Sequence, residues 1–494
     1  MKNDVMTGLA RTLSVFLITV GAALLSINYG FNFRQTVSVA VFILVISAAL
    51  FFWEFHLPIA FAGISILMIC GIMDMPSLVA ESKLDIILFL VAMMIIVGIL
   101  KDLGLFSWII ITVITIPGMT ARMFVVIACA IGAAMSCMAD ETSSIVFISA
   151  LIFQVCDTLN LRPVPFIVMA IMAINIGSAG TMLGNPIGIL IGQNASPPLS
   201  FNDFMLWSFP LMLAEFAAVM FFMLWNFRRE IREMETKLTE RRNMGLSLGP
   251  IVKVPYGRGL LVLAVLMTLL SIHTVIEARL GLARNVMLIT IPLLVAGLLM
   301  LWRRENIRKH VESDVDWMTL IFFMMLFVVA GTLRRTEATN IIADGFVATF
   351  RNTPSLMLPT IIGVTALGSA FIENIIFVAA FLPIVARLEQ MPLFWALLHG
   401  ACLGGNITMI GSTANIVAVS MLEKRYWTRM DFLVWLRTGL AVGVISCMVA
   451  WGGLALLSPY MPAQTAARFA AAAKGTKRTT PNQGSRPDRT NAIL

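Results

Sequence analysis

Charge is the scarcest resource in this sequence. Of its 494 residues only 13% are Asp, Glu, Lys or Arg, against 59% hydrophobic, and the mean hydropathy is +0.91. No soluble globular protein manages with so little charge. Nor is there a Gly-rich phosphate loop ending in Gly-Lys-Ser/Thr, or room for a nucleotide-binding domain, so transport energised by ATP within this chain is excluded. Only four histidines are present. The six cysteines (Cys70, Cys129, Cys137, Cys156, Cys402, Cys447) all lie in apolar segments. They have neither metal-ligand spacing nor an extracellular disulfide framework, and read as buried free thiols.

What the chain has instead is apolar stretches of spanning length, about 20 residues each, recurring from near Thr12 to near Leu457. Helices are expected near 12–28, 37–53, 57–73, 85–100, 163–195 (interrupted), 204–226, 259–276, 285–301, 316–333, 397–421 (interrupted) and 431–457. Two further blocks, 105–160 and 355–395, enter the membrane without simply crossing it. Lys2 and Arg11 precede the first run and no small-residue cleavage site stands out after it, so it is read as a first helix and not a removed signal.

The net charge of +8 reflects basic residues collecting in loops held in the cytoplasm; no nucleic-acid partner is inferred from it. Basic residues concentrate in 227–258, 303–310 and 423–429. Placing these inside puts the N-terminus inside and, after eleven spans, the C-terminus outside an inner (cell) membrane. The expected division is an N-terminal membrane repeat at 1–226, a basic cytoplasmic linker at 227–258 whose stretch 228–243 forms a surface helix, a C-terminal inverted repeat at 259–460, and a disordered basic tail at 461–494.

The halves repeat one another. Asp85 through Met94 lines up with Asp316 through Met325, Ser136-Cys-Met-Ala-Asp-Glu141 with Ser369-Ala-Phe-Ile-Glu-Asn374, and Thr181-Met-Leu-Gly-Asn185 with Thr408-Met-Ile-Gly-Ser412. On the charge-based topology the copies run in opposite senses. Inverted repeats with interrupted helices at the pseudo-symmetry axis are the architecture of secondary transporters, with the site near the midplane.

The polar residues cluster where this plan needs them. Block 121–156 is apolar except for Asp140-Glu141-Thr142 and the serines after it, and block 357–386 has Glu373-Asn374 at its centre. With arms too short to span, each reads as a re-entrant hairpin with its polar tip inside the membrane, where non-helical backbone must line a cavity or be buried in protein. Segments 175–188 and 404–415 interrupt helices with Gly177, Gly180, Gly184, Pro186, Gly404, Gly405 and Gly411. Glycine releases the helix and proline removes a donor. The freed carbonyls, with the side chains of Asn175, Thr181, Asn185, Asn406, Thr408, Ser412 and Asn415, can coordinate an ion. Close helix packing through small residues is the structural alternative.

These motifs resemble the ion transporter superfamily, in the branch that holds arsenite-efflux permeases, the melanosomal P protein, citrate-transporter-like permeases and NhaD-type sodium/proton antiporters. The resemblance covers about residues 40–457. It is carried by Phe89 through Gly98, Asp140-Glu141-Thr142, Ile174 through Pro186, Phe371-Ile-Glu373-Asn374, and Gly404 through Asn415. It implies eleven spans, two re-entrant hairpins, homodimers and elevator-type alternating access. Relatives usually carry Asp-Asn at both tips and Gly-Asp-Pro-Pro-Asn after the first break. This chain has Asp140-Glu141, Glu373-Asn374 and Gly184-Asn185-Pro186-Ile187-Gly188, so a carboxylate has moved from break to tip.

Ionisable groups inside a membrane are costly, about 2.5–3.5 kcal/mol each on the gentlest insertion scale, and Asp140, Glu141 and Glu373 therefore read as functional. Asp140 could alternatively cap the hairpin's second arm. Neighbouring carboxylates resist being charged together, which suits a proton-coupled site. The expected activity is secondary transport, not catalysis: antiport of a cation such as Na⁺ against H⁺, with arsenite/antimonite efflux and Na⁺-coupled dicarboxylate or citrate transport as rivals. No organic cofactor is expected; a sodium ion would sit at Asn175, Gly180, Asn406 and Gly411. Glu215 and His399 are read as structural, and His56, His273 and His310 as loop or interface residues.

Overall fold

The computed structural model describes residues 2–461, apart from 53–54, 139, 196–197, 245–254, 284, 351–353, 389 and 427–429. The tail from 462 onward and ten residues of the linker lie outside the described residues. Everything described is helix, turn or loop, with no strand among the described residues.

Helix boundaries follow local chemistry. Asn32 and Gln35 form a reciprocal capping box, each side chain bonding the other's backbone N–H at 2.9 Å, and start the helix Phe33–Phe51. Asn160 closes Glu141–Leu159 with φ +51°, the left-handed conformation asparagine tolerates. The first helix begins at Lys2, ten residues before the apolar run suggests, because helical hydrogen bonding carries on into the polar flank.

Among the described residues, six helices are long and apolar enough to cross a membrane, or eight if two bent pairs each count as one span. The expected eleven are not reached on that criterion. The interrupted helices come in pieces of 14 and 9 residues and of 14 and 14, each too short alone. Conversely, the arms of the first hairpin, Ala121–Met138 and Glu141–Leu159, are longer than expected and pass the length test. They take in polar ends, Arg122 and Asp157, that the apolar reading omitted.

That first hairpin nevertheless enters and leaves on one side. The surface helix Arg228–Asn243 buries Ile231, Met234 and Leu238 on one face. Its Glu235 accepts a bond from the Ala121 N–H (2.5 Å), and its Lys237 donates to the Asn160 carbonyl (2.6 Å). Both open ends of the hairpin are thus held beneath one helix. Arg425 and Tyr426 bond Asp157 near the same end (2.7 and 2.5 Å), so the basic segments 228–243 and 423–426 share one side of the molecule, as the charge rule required.

The repeats are related by a two-fold whose signature is exchanged contacts. Helix Leu84–Asp102 corresponds to Trp317–Arg335, hairpin Ala121–Met138/Glu141–Leu159 to Met357–Phe371/Asn374–Leu388, and interrupted helix Val164–Gly177/Pro186–Asn194 to Met391–Gly404/Thr413–Tyr426. A Cβ at Gly331 would strike Glu81, and one at Gly98 would strike Asp314. A residue three positions before each long helix therefore lies on a glycine near the end of the other, so the two helices run antiparallel and the repeats are inverted. This contact register pairs Leu84 with Trp317, two residues away from the Asp85–Asp316 match read from sequence; an apolar helix offers few landmarks to fix the phase. Likewise His56–Ile69 packs on Trp317–Arg335 while Val286–Trp302 packs on Leu84–Asp102, and Pro186–Asn194 packs on the second hairpin while Thr413–Tyr426 packs on the first.

Candidate functional site

The two breaks meet at the centre of this interlock. Asn175, fully buried at the end of Val164–Gly177, donates to Oδ1 of Asn406 and to Oδ1 of Asn415, each at 2.9 Å. Its own Oδ1 accepts from Ser412 at 3.3 Å. Asn406 donates to the Met172 carbonyl (3.3 Å), and Asn415 to the carbonyls of Gly405 (2.7 Å) and Thr408 (2.9 Å). Asn185 caps Pro186–Asn194 by accepting from Gly188 N–H (3.1 Å), and donates to Ser178 (3.0 Å) and to the Cys402 sulfur (3.1 Å). The spacing that equates Gly177 with Gly404 also equates Asn185 with Ser412 and Cys402 with Asn175. The contacts Asn185–Cys402 and Ser412–Asn175 are therefore two-fold mates.

Each hairpin is fastened to its break. Thr181 Oγ1 donates to the Cys137 carbonyl and Thr408 Oγ1 to the Ala370 carbonyl, again as mates. Gly177 and Gly404 let the backbones touch, since a Cβ at either would land on the carbonyl of Ala133 or Ala366. Thr181 and Thr408 therefore spend their hydroxyl protons on anchoring, and the Thr181 oxygen also accepts from the Leu183 N–H at 3.1 Å, so only the remaining lone pairs could meet an ion.

The tips carry the acids. Asp140 caps the second arm, accepting from Ser143 N–H at 2.8 Å, the structural role left open above. Glu141 interacts with the hydroxyls of Ser178 and Ser412 and feels the charges of Glu373 and Asp140, and its Oε2 is buried without a partner. Thr142 follows it, half-buried. At the other tip Glu373 accepts from Thr413 at 2.6 Å, and its Oε2 is likewise buried and unpartnered. Asn374, mate of Glu141, faces the carbonyls of Ala401 (3.2 Å) and Gly411 (2.8 Å) through its amide nitrogen. A cavity of about 110 Å³ lies beside Glu373 and Thr413 and reaches Ala49 on the outer helix Phe33–Phe51.

So the structure brings Asn175, Asn185, Asn406, Ser412 and Asn415 into one buried network, with Glu141 against it and Glu373 beside it. Gly180 packs on Met212 and Cys137, while Gly411 lies near the carbonyl side of the second tip. Among the described residues no cluster of three or more His, Cys, Asp and Glu could hold a metal ion.

The sequence reading missed the histidines. His56, His273 and His310 are all buried, not loop residues: His56 meets Phe322 edge-on at 4.5 Å, His273 bonds the Leu270 carbonyl (2.8 Å), and His310 bonds Asp314 (2.7 Å). His399 contacts Glu215 and Ser208, all three with no exposed surface. Its place one turn before Gly404 was the available signal.

Comparison with known proteins gives a consistent answer. A family model described as "Citrate transporter" matches residues 42–400. An uncharacterized transporter of Mycobacterium tuberculosis is 30% identical over 74% of this chain and 84% of its own length. A 46 kDa membrane protein of Mycobacterium leprae is 30% identical over 76% and 86%. The P protein of Sus scrofa is 24% identical over 73% of this chain and 51% of its own length. Among solved structures, the YdaH transporter of Alcanivorax borkumensis shares the fold, with TM-score 0.53 and 14% identity over 78% of this chain and 88% of that one. With its inverted helical repeats and paired breaks, this chain belongs to the citrate transporter family of the ion transporter superfamily, and is a secondary transporter.

Proposed function

We propose that the chain is a proton-coupled cation antiporter, carrying an ion such as Na⁺ against H⁺. One observation carries this: the buried oxygens Glu141 Oε2 and Glu373 Oε2 have no partner and lie at the two hairpin tips beside the asparagine network. A buried carboxylate oxygen without a donor is costly and favours a cation or a proton there. No Lys, Arg or His belongs to the tips or to the asparagine network, so an anion would find no counter-charge. Glu141 and Glu373 would alternate between cation and proton, with the asparagines and break carbonyls as neutral ligands.

Alternating access would be of the elevator type. The hairpins, the interrupted helices and the helices Phe209–Asn226 and Phe432–Leu457 pack on one another; Leu84–Asp102 and Trp317–Arg335 pack against this set, and Val286–Trp302 and Phe33–Phe51 pack on those two in turn. The cavity at Glu373 opens on that boundary through Ala49. By the positive-inside rule the linker side would face the cytoplasm of a cell membrane.

The test is radiolabelled sodium uptake into proteoliposomes under a pH gradient. Glu141→Gln and Glu373→Gln should each abolish pH-driven uptake; intact uptake in both would overturn the assignment. The family's description supports a second reading, citrate transport. Citrate uptake that survives removal of Na⁺ and is unaffected by either Gln variant would favour it.

A further inference from the structure

Glu215, His399 and Ser208 form a chain of contacts with no exposed surface. Nδ1 of His399 lies 2.8 and 3.0 Å from the two oxygens of Glu215, and its Nε2 lies 2.8 Å from Ser208 Oγ. Ser208 ends a π-helical turn, Phe204–Ser208, the kind of bulge that often re-aims a side chain at a working site. Its hydroxyl donates to the carbonyl of Ala179 at 2.6 Å, inside the first break.

Counting protons fixes the state of this chain. A serine hydroxyl has one hydrogen, and here it goes to Ala179. Ser208 Oγ must then accept from Nε2–H of His399. Nδ1 meets the Glu215 carboxyl closely enough that a second proton lies between them. Removing that proton would set a bare nitrogen against a carboxylate. The imidazole relieves this by moving its hydrogen to Nδ1, where it donates to Glu215. Nε2 is then an acceptor, Ser208 turns its hydrogen to it, and the Ala179 carbonyl is released.

The second repeat lacks this device. By the Gly177–Gly404 spacing, the mate of His399 is Met172, also fully buried, so an apolar side chain fills that place without charge. The mate of Ala179 is Asn406, whose carbonyl accepts from the indole N–H of Trp435 at 3.2 Å, a donor that does not titrate. One break carbonyl is held permanently, the other through a group that can gain or lose a proton. Around Glu215, Phe432–Leu457 contributes the Cys447 thiol and the arm of His399 contributes Cys402. The packed helix Val164–Gly177 contributes no titratable group. His399 is the one charged partner facing Glu215 among the described residues.

We infer that Glu215, His399 and Ser208 are a proton-operated switch on the Ala179 carbonyl. With the proton bound the carbonyl is occupied; with it lost the carbonyl is free to join a cation's ligands in the first break. At this switch proton and cation would compete without sharing an atom, in addition to their direct competition at Glu141 and Glu373. The coupling to a cation rests on the antiport reading above; the switch itself does not.

Two measurements on the full-length protein separate them. Hydrogen–deuterium exchange of the peptide covering 178–185, without added cation and corrected for intrinsic rates, should accelerate with rising pH in the wild type. Ser208→Ala should be fast at every pH, and Glu215→Gln should respond to pH no further. Unchanged wild-type exchange across the pH series overturns the switch, whatever the variants do. In proteoliposomes the wild-type KM for Na⁺ should rise with acidification at low pH, and the switch should add about a tenfold rise per pH unit, one proton displaced per cation, to the slope owed to the tip carboxylates. Glu215→Gln should lose that added part and keep the part owed to Glu141 and Glu373, while Trp435→Phe keeps the whole slope. A pH-responsive break in a protein that moves neither Na⁺ nor Li⁺ would sink the antiport reading and leave the switch standing. A wild-type slope in Glu215→Gln would sink the coupling.

Discussion

Asn175 holds the two breaks together, and replacing it with alanine is the sharpest structural perturbation available. Its amide donates to Asn406 and Asn415, and its oxygen accepts from Ser412. Asn175→Ala removes all three bonds and leaves two acceptors and a hydroxyl facing a space from which every one of these residues is shielded. Buried hydrogen bonds contribute about 1 kcal/mol each net, and an orphaned buried group costs about 1–3 kcal/mol, so the loss should lie between about 3 and 9 kcal/mol, at the low end if water enters. Asn175→Asp keeps the shape but turns an acceptor toward the acceptor oxygens of Asn406 and Asn415, and should be at least as damaging. Thermal unfolding of the detergent-purified protein reads stability, and sodium exchange in proteoliposomes reads function. An Asn175→Ala protein within about 0.5 kcal/mol of wild type, the range of an inert surface substitution, with unimpaired transport would refute the shared-network reasoning.

Thr181→Val and Thr408→Val each cut one hairpin-to-break tie and leave a buried carbonyl unpaired, and destabilisation by about 1–3 kcal/mol is expected in both; Thr181→Val also strips the acceptor from the Leu183 N–H and should be the more costly, so a Thr408→Val protein much the less stable of the two in thermal unfolding would count against the two-fold. Gly177→Ala and Gly404→Ala should both impair folding, read as loss of monodisperse protein after detergent extraction, because the added methyl meets a backbone carbonyl that cannot move aside. A reporter active only in the periplasm should be silent fused after Thr239 and active fused after Gly484; the opposite pattern would reverse the membrane orientation.

The polar residues at the helix breaks stand out in the sequence more clearly than the ends and phase of the apolar helices around them. Asn175, Asn185, Asn406, Ser412 and Asn415 were legible because polar side chains beside glycines stand out in an apolar background; the structure bonds Asn175 directly to Asn406, Asn415 and Ser412, and links Asn185 to Asn175 through Ser178. The ends of the hairpin arms were not legible, since Arg122 and Asp157 look like loop residues until the surface helix Arg228–Asn243 and Arg425 supply their setting. The two-residue slip in pairing Asp85 with Asp316 arose because apolar helices match one another in almost any phase; Glu81 with Gly331 and Asp314 with Gly98 fix it only through contacts. The linked set of Glu215, His399 and Ser208 is spread over 191 positions, and no local pattern announces it.

Cation-driven proton movement tests the central claim most directly. The purified full-length protein would be sealed into liposomes containing a pH-sensitive dye, and Na⁺, Li⁺, citrate or arsenite added outside in separate runs. A cation antiporter should alkalinise the lumen when Na⁺ or Li⁺ is added outside, because protons leave as the cation enters, and the response should vanish in Glu141→Gln and Glu373→Gln. A response to citrate or arsenite alone, with Na⁺ and Li⁺ silent, would contradict the account.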